Sequence, residues 1–133
     1  MKVAVWLMLG LLTVAGLIFL GERVASETGE VVVLTTGDGS GALAETRLWV
    51  VDLDGSPYLR GDLGSGWYAR LVADPRVSLE RGGASANYLA VPAADRRGQI
   101  NELMRRKYGW RDVYISWLLG GREDAMPVRL DSR

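Results

Sequence analysis

The sequence predicts an α+β chain, mainly β with helices, in which six antiparallel strands follow one N-terminal transmembrane helix. Three observations predict it. Val3–Gly21 carries no charge over 19 residues. From Val31 onward, short β-branched runs alternate with turns rich in glycine and proline. The clearest amphipathic helical repeat is confined to Ala93–Tyr108.

As a helix the apolar stretch would be about 28 Å long, close to the hydrocarbon thickness of a bilayer. It is apolar on every side and has no face to give to water. A signal peptide usually has a shorter apolar core. The length of the run, with Glu22-Arg23 directly behind it, favours an uncleaved anchor over residues 1–21; cleavage after Ser26 is the alternative. Residues 22–29 read as a tether and 30–133 as one domain. Lys2 and the terminal amine precede the span and Arg23 follows it, so the positive-inside rule predicts a single-pass membrane protein with an extracytoplasmic domain.

Val31–Thr36 is β-branched and reads as the first strand, followed by the turn Gly37-Asp38-Gly39-Ser40-Gly41. Glu45–Leu53 is the second, Asp54-Gly55-Ser56 a hairpin turn, and Pro57–Gly61 the third. Trp67, Tyr68, Leu71 and Val72 have helical spacing, with Ser65 placed to cap the helix and Pro75 to stop it. Arg76–Glu80 and Ala86–Val91 are strands four and five around Gly82-Gly83. Ile100, Leu103, Met104 and Tyr108 form the apolar face of a helix broken by Gly109. Trp110–Leu119 is a second helical piece ended by Gly120-Gly121, and Met126–Leu130 the sixth strand.

Composition removes whole classes of chemistry. The chain has no cysteine and no histidine, which excludes disulfides, thiol nucleophiles, Ser-His-Asp triads and Cys- or His-ligated metals. No metal site is expected. Sixteen basic residues balance sixteen acidic ones, so there is no overall field for nucleic acid.

The order of elements, with Leu34-Thr35-Thr36-Gly37, Ser40-Gly41, Thr46–Val51, Gly61, Gly66-Trp67-Tyr68 and Leu71–Leu79, resembles the flavin- and deazaflavin-binding split β-barrel family, in its nitroreductase-like and deazaflavin-dependent reductase branches. The likeness covers about residues 31 to 130 and is strongest from Trp67 to Val77. It implies a six-stranded split barrel, a homodimer, and FMN or a deazaflavin in a groove at the dimer interface. The cofactor-binding residues it implies are Arg47, Arg60, Gly66, Trp67, Tyr68 and Arg70; it indicates no catalytic side chain, because the cofactor carries the redox chemistry. The sequence departs from the family at the turn, where Asp38 stands in place of a cation and would repel a phosphate.

Each of these residues has a plainer reading. Trp67 and Tyr68 plug a small barrel as readily as they flank a ring, Arg47 and Arg60 pair with carboxylates as readily as with phosphate, and Arg105-Arg106-Lys107 reads as a solvated face. Two functions follow: a membrane-tethered reductase of quinone-like or nitroaromatic acceptors, or a split-barrel module that binds or supports without a cofactor.

Overall fold

The computed structural model describes residues 1–27, 29–118 and 124–133, with side chains from 21 to 27 and of Ser116 left aside. Gly120-Gly121 lies outside the described residues. The first helix, α1 (Lys2–Glu27), runs on through most of the stretch expected as a tether. Its residues from Lys2 to Leu20 are all exposed to solvent. Lys2–Leu20 is long and apolar enough to cross a membrane, and a signal sequence has the same features.

Among the described residues, seven strands form one antiparallel sheet: β1 (Val31–Gly37), β2 (Leu43–Trp49), β3 (Val51–Leu53), β4 (Ser56–Gly61), β5 (Arg76–Arg81), β6 (Ala84–Pro92) and β7 (Met126–Ser132). Their spatial order is β2-β1-β5-β6-β7-β4-β3. The expected count of six is corrected to seven, because the run expected as one strand from Glu45 to Leu53 breaks at Val50. There the backbone leaves the ladder for side-chain partners. Val50 N–H donates to the Tyr108 hydroxyl at 3.0 Å, and Val50 C=O accepts from Lys107 Nζ at 2.7 Å. The two halves, β2 and β3, are the two edges of the sheet. One residue joins them, so the sheet must curl into a barrel whose edges meet at Val50.

The curl makes two cores. Inside it lie Val32, Leu34, Val50, Leu59, Leu79, Val128 and Leu130 with their neighbours. One end is filled by α2 (Gly66–Ala73), which inserts Trp67 and Leu71 into that interior. Ser65 precedes α2 but caps no N–H of the helix; its hydroxyl donates instead to Asp62 C=O at 2.7 Å. The second core lies outside the sheet, where α3 (Arg97–Tyr108) buries Ile100, Met104 and Tyr108 against Val51 and Tyr58. A short 3-10 turn, Ala94–Arg96, leads into α3. Gly109, at φ +55°, then turns the chain into α4 (Trp110–Leu118).

Charged groups tie the Val50 end of the barrel. Arg81 bonds Glu30 at 3.0 and 3.1 Å and Asp52 at 2.8 and 2.7 Å, while Lys107 also reaches Glu30. Arg81, then Lys107, holds the Glu30 carboxyl below its usual range, and Arg81 does the same for Asp52.

Tyr108 joins these parts. Its ring stacks on Trp49 at 4.3 Å, and its hydroxyl lies 2.6 Å from Glu30 C=O and 3.2 Å from Val50 C=O. Tyr108→Phe should destabilise the protein by about 1–3 kcal/mol, because it strands the buried Val50 N–H. Burial pushes the Tyr108 hydroxyl up to about 12 from 10.0. A raised folded-state value means that this contribution is complete below pH 10 and declines as the pH rises towards 12. Denaturant midpoints measured across that window should fall for the natural protein and stay flatter for Tyr108→Phe.

Candidate functional site

The mouth of the barrel around α2 gathers four of the six residues singled out by sequence. Trp67 is buried in the barrel interior and Tyr68 is half-buried beside it, their rings edge to face at 6.5 Å. Both press on Gly61, where an added Cβ would lie 3.0 Å from each ring. The backbone of β4 therefore runs directly beneath the aromatic pair, which only a glycine permits. Gly66 opens α2, and Arg70 Nη1 would lie 3.0 Å from a Cβ placed there. From that position Arg70 crosses the mouth to β1, where its Nε donates to the buried Thr36 hydroxyl at 2.7 Å. No carboxylate among the described residues forms an ion pair with Arg70.

The other two residues lie elsewhere. Arg47 sits on β2 opposite Val33, with its side chain exposed. Arg60 is buried, and its guanidinium bonds Asp112 of α4 and, at 3.4 Å, Asn101 of α3. The period of two along a strand explains the placement. Leu59 faces the barrel interior and Gly61 the aromatic pair, so Arg60 between them faces the outer helices. Its Nε is buried without a hydrogen-bond partner.

Beside the mouth, the outer face of the sheet carries a shallow groove of about 300 Å³. Thr35, Ser78 and Asn87 stand in register across β1, β5 and β6 along it, between Asp74-Arg76 and Arg133. Asp74 is matched to Arg76 at 3.0 Å, which lowers its carboxyl from the ordinary value. Sequence reasoning missed this polar row, although strand alternation in Val33-Leu34-Thr35 and Val77-Ser78-Leu79 signals it.

The Gly-rich turn is held by its own acid. Asp38 accepts from Ser40 N–H at 2.8 Å and from the Ser40 hydroxyl, and these bonds depress its carboxyl. Gly39 and Gly41, at φ +86° and +97°, let the chain turn so tightly. No group of His, Cys, Asp or Glu suited to a metal occurs among the described residues.

A flavin-type cofactor needs a flat floor and a cation for its phosphate. Arg70, without a carboxylate partner among the described residues, fits the second need, and half-buried Tyr68 offers the aromatic surface for the first, whereas Trp67 is buried in the core and, with Tyr68, covers Gly61.

Comparison with known proteins places the chain in a family. The sequence profile of the F420H(2)-dependent quinone reductase family matches residues 19–131, and the chain belongs to that family. No curated protein matches the sequence significantly. Among solved structures, an F420-H2 dependent reductase (FDR-A) superposes with a TM-score of 0.61 at 20% identity, over 76% of this chain and 93% of that one. A domain-swapped dimer matches with the same score and identity, over 76% and 79%. HutZ, the heme storage protein of Vibrio cholerae, matches at 0.63 and 15% identity, over 84% and 87%. At such identities these likenesses establish the fold.

Gly61→Val should force the aromatic pair from its seat and cost about 1–3 kcal/mol. Removing one member of the buried pair, as in Asp112→Ala, should cost about 3–5 kcal/mol. Urea unfolding of both variants checks the two values.

Proposed function

We propose that this member of the F420H(2)-dependent quinone reductase family is a membrane-tethered, deazaflavin-dependent reductase of quinone-like acceptors. The family match over residues 19–131 carries the reading. When bound, the deazaflavin supplies the hydride; the chain binds it, orients it and keeps water from the transferred group. Arg70 is the residue assigned to the phosphate, with Gly66 leaving room for its side chain. Half-buried Tyr68 is assigned to the wall beside the ring, held there by the buried Trp67, while Arg47, exposed on β2 outside the mouth, is not assigned to the cofactor. Arg60 acts as a positioning residue, fixing β4 beneath the aromatic pair.

A second copy of the chain completes the groove in this reading. Ala84–Ala86 of β6 pair with β5 on one side and are exposed, and β7 with the residue after it joins β6 only from Asn87 onward. The domain-swapped neighbour supports association of this fold. Domain limits follow the sequence, with an anchor over 1–21 and the barrel from 30. The charge bias around the anchor supports an extracytoplasmic barrel, so a cysteine introduced at exposed Ser85 should react with an impermeant maleimide in intact cells.

Purified full-length protein should bind the deazaflavin and, with the reduced cofactor, reduce a soluble quinone; nitroaromatic compounds and FMN are the comparison acceptor and cofactor. Arg70→Ala should weaken cofactor binding roughly ten- to hundredfold, the loss of one charge-assisted contact. Asp38→Lys should strengthen it. Folded protein that ignores both cofactors in a fluorescence titration would overturn the reductase reading in favour of a cofactor-free module.

A further inference from the structure

The helix α4 has two unlike faces. One is turned to the barrel, with Ile115 buried and Asp112 bonded to Arg60. The other presents Trp110, Val113 and Trp117, which are 53%, 58% and 70% exposed. Positions i, i+3 and i+7 fall within one stripe of a helix, so the three form a continuous apolar strip along solvent. Tyr114 borders it, with ring centroids 6.5 Å from Trp110 and 6.4 Å from Trp117.

This strip has a definite neighbour. The Tyr114 hydroxyl donates to Ile18 C=O of α1 at 2.7 Å, so α4 lies beside the end of the apolar helix. Ile18 is three residues before Gly21, or about 4.5 Å along the axis. Were α1 to cross a bilayer, Tyr114 would therefore stand near the boundary between acyl chains and headgroups, the depth that Trp and Tyr prefer. Arg111 lies over the Trp110 ring at 5.1 Å, as a cation does when its stem follows an apolar body towards water.

We propose that α4 is an interfacial helix, seating Trp110, Val113 and Trp117 in the same bilayer that α1 spans. The occupant of the strip is lipid, and the driving force is apolar burial rather than charge. The nearby cations are already partnered: Arg105 and Arg106 share Glu102 at 3.2 and 3.1 Å, and Lys107 holds Glu30. Insertion should therefore persist in phosphatidylcholine alone and survive salt raised from about 0.05 to about 0.5 M, where screening removes surface attraction. The inference rests on the membrane reading of α1, and its test reads the two helices separately.

Because the chain has no cysteine, single cysteines can carry an environment-sensitive fluorophore at chosen points of the full-length protein. Val113→Cys and Trp117→Cys report on α4, Val14→Cys on α1, and Ala42→Cys on the exposed turn between β1 and β2, at the end of β1 away from α1. Each variant is reconstituted into phosphatidylcholine vesicles, with thermal melts verifying that it is folded. Lipids bearing quenchers near the headgroup should remove most of the emission at positions 113 and 117, and deep quenchers that at 14, while 42 keeps its emission. A deep label at 14 with water-exposed labels at 113 and 117 would overturn the interfacial role of α4 and leave the anchor standing. Water-exposed labels at all positions would overturn both. Labels at 113 and 117 that are dry but unquenched, in vesicles and detergent alike, would show a protein surface covering the strip and would also overturn it.

Discussion

Both backbone groups of Val50 are held by side chains from α3 instead of by a neighbouring strand, and the barrel takes its shape from that substitution. A buried peptide group without a partner is costly. The break between β2 and β3 is stable only because Tyr108 supplies an acceptor for the N–H and Lys107 a donor for the C=O. Once the break exists, the sheet's two edges are joined through one residue. The curl creates the interior that Trp67 and Leu71 fill. The ion pairs of Arg81 with Glu30 and Asp52 brace the same corner, yet they are partly exposed and contribute less than the buried hydroxyl does.

The strands themselves were legible because β-branched runs and turn glycines are local signals. The break at Val50 was not. Trp49-Val50-Val51-Asp52-Leu53 is an unbroken β pattern, and its partners lie in a helix more than fifty residues away. The aromatic plug and Gly66 could be found from spacing, as could Arg70's position one turn behind Trp67. Arg60 illustrates the limit of reading by position. Its place beside a Gly-rich loop suggests an anion contact, but alternation along β4 turns it outward, and only the packing of α4 reveals Asp112. Thr36 shows the opposite case. It continues the inward row of Val32 and Leu34, so a buried hydroxyl needing a partner was implied by the pattern itself.

The acid in the Gly-rich turn is explained by what it does locally. Asp38 closes the turn through Ser40, so the loop keeps its shape without a cation or a phosphate to hold it. The electrostatic consequence falls on the rest of the mouth. With a negative charge in the turn, a bound anion depends on side chains from other elements. Arg70 is the one that crosses the mouth without a carboxylate partner among the described residues, and it arrives from the helix that also plugs the barrel. The core side chain Trp67 and the Arg70 cation are thus carried by the same turn of α2, so a change that loosens Trp67 also displaces Arg70.

The two faces of α4 connect this mouth to the N-terminal helix. Asp112 faces inward to Arg60, which is flanked on β4 by Leu59 in the barrel core and by Gly61 beneath the aromatic pair. Tyr114 faces α1 and binds its backbone. A buried ion pair is a poor source of net stability, since desolvation consumes most of its attraction, but it is intolerant of misplacement. Using one to join α4 to β4 makes the angle between the helix and the barrel stiff. An apolar contact in its place would slide at little cost. Whatever fixes the attitude of α1 and α4 therefore fixes the direction in which the barrel mouth opens, through a chain of four contacts: Ile18–Tyr114, the turn of α4 to Asp112, Asp112–Arg60, and Gly61 beneath Trp67 and Tyr68.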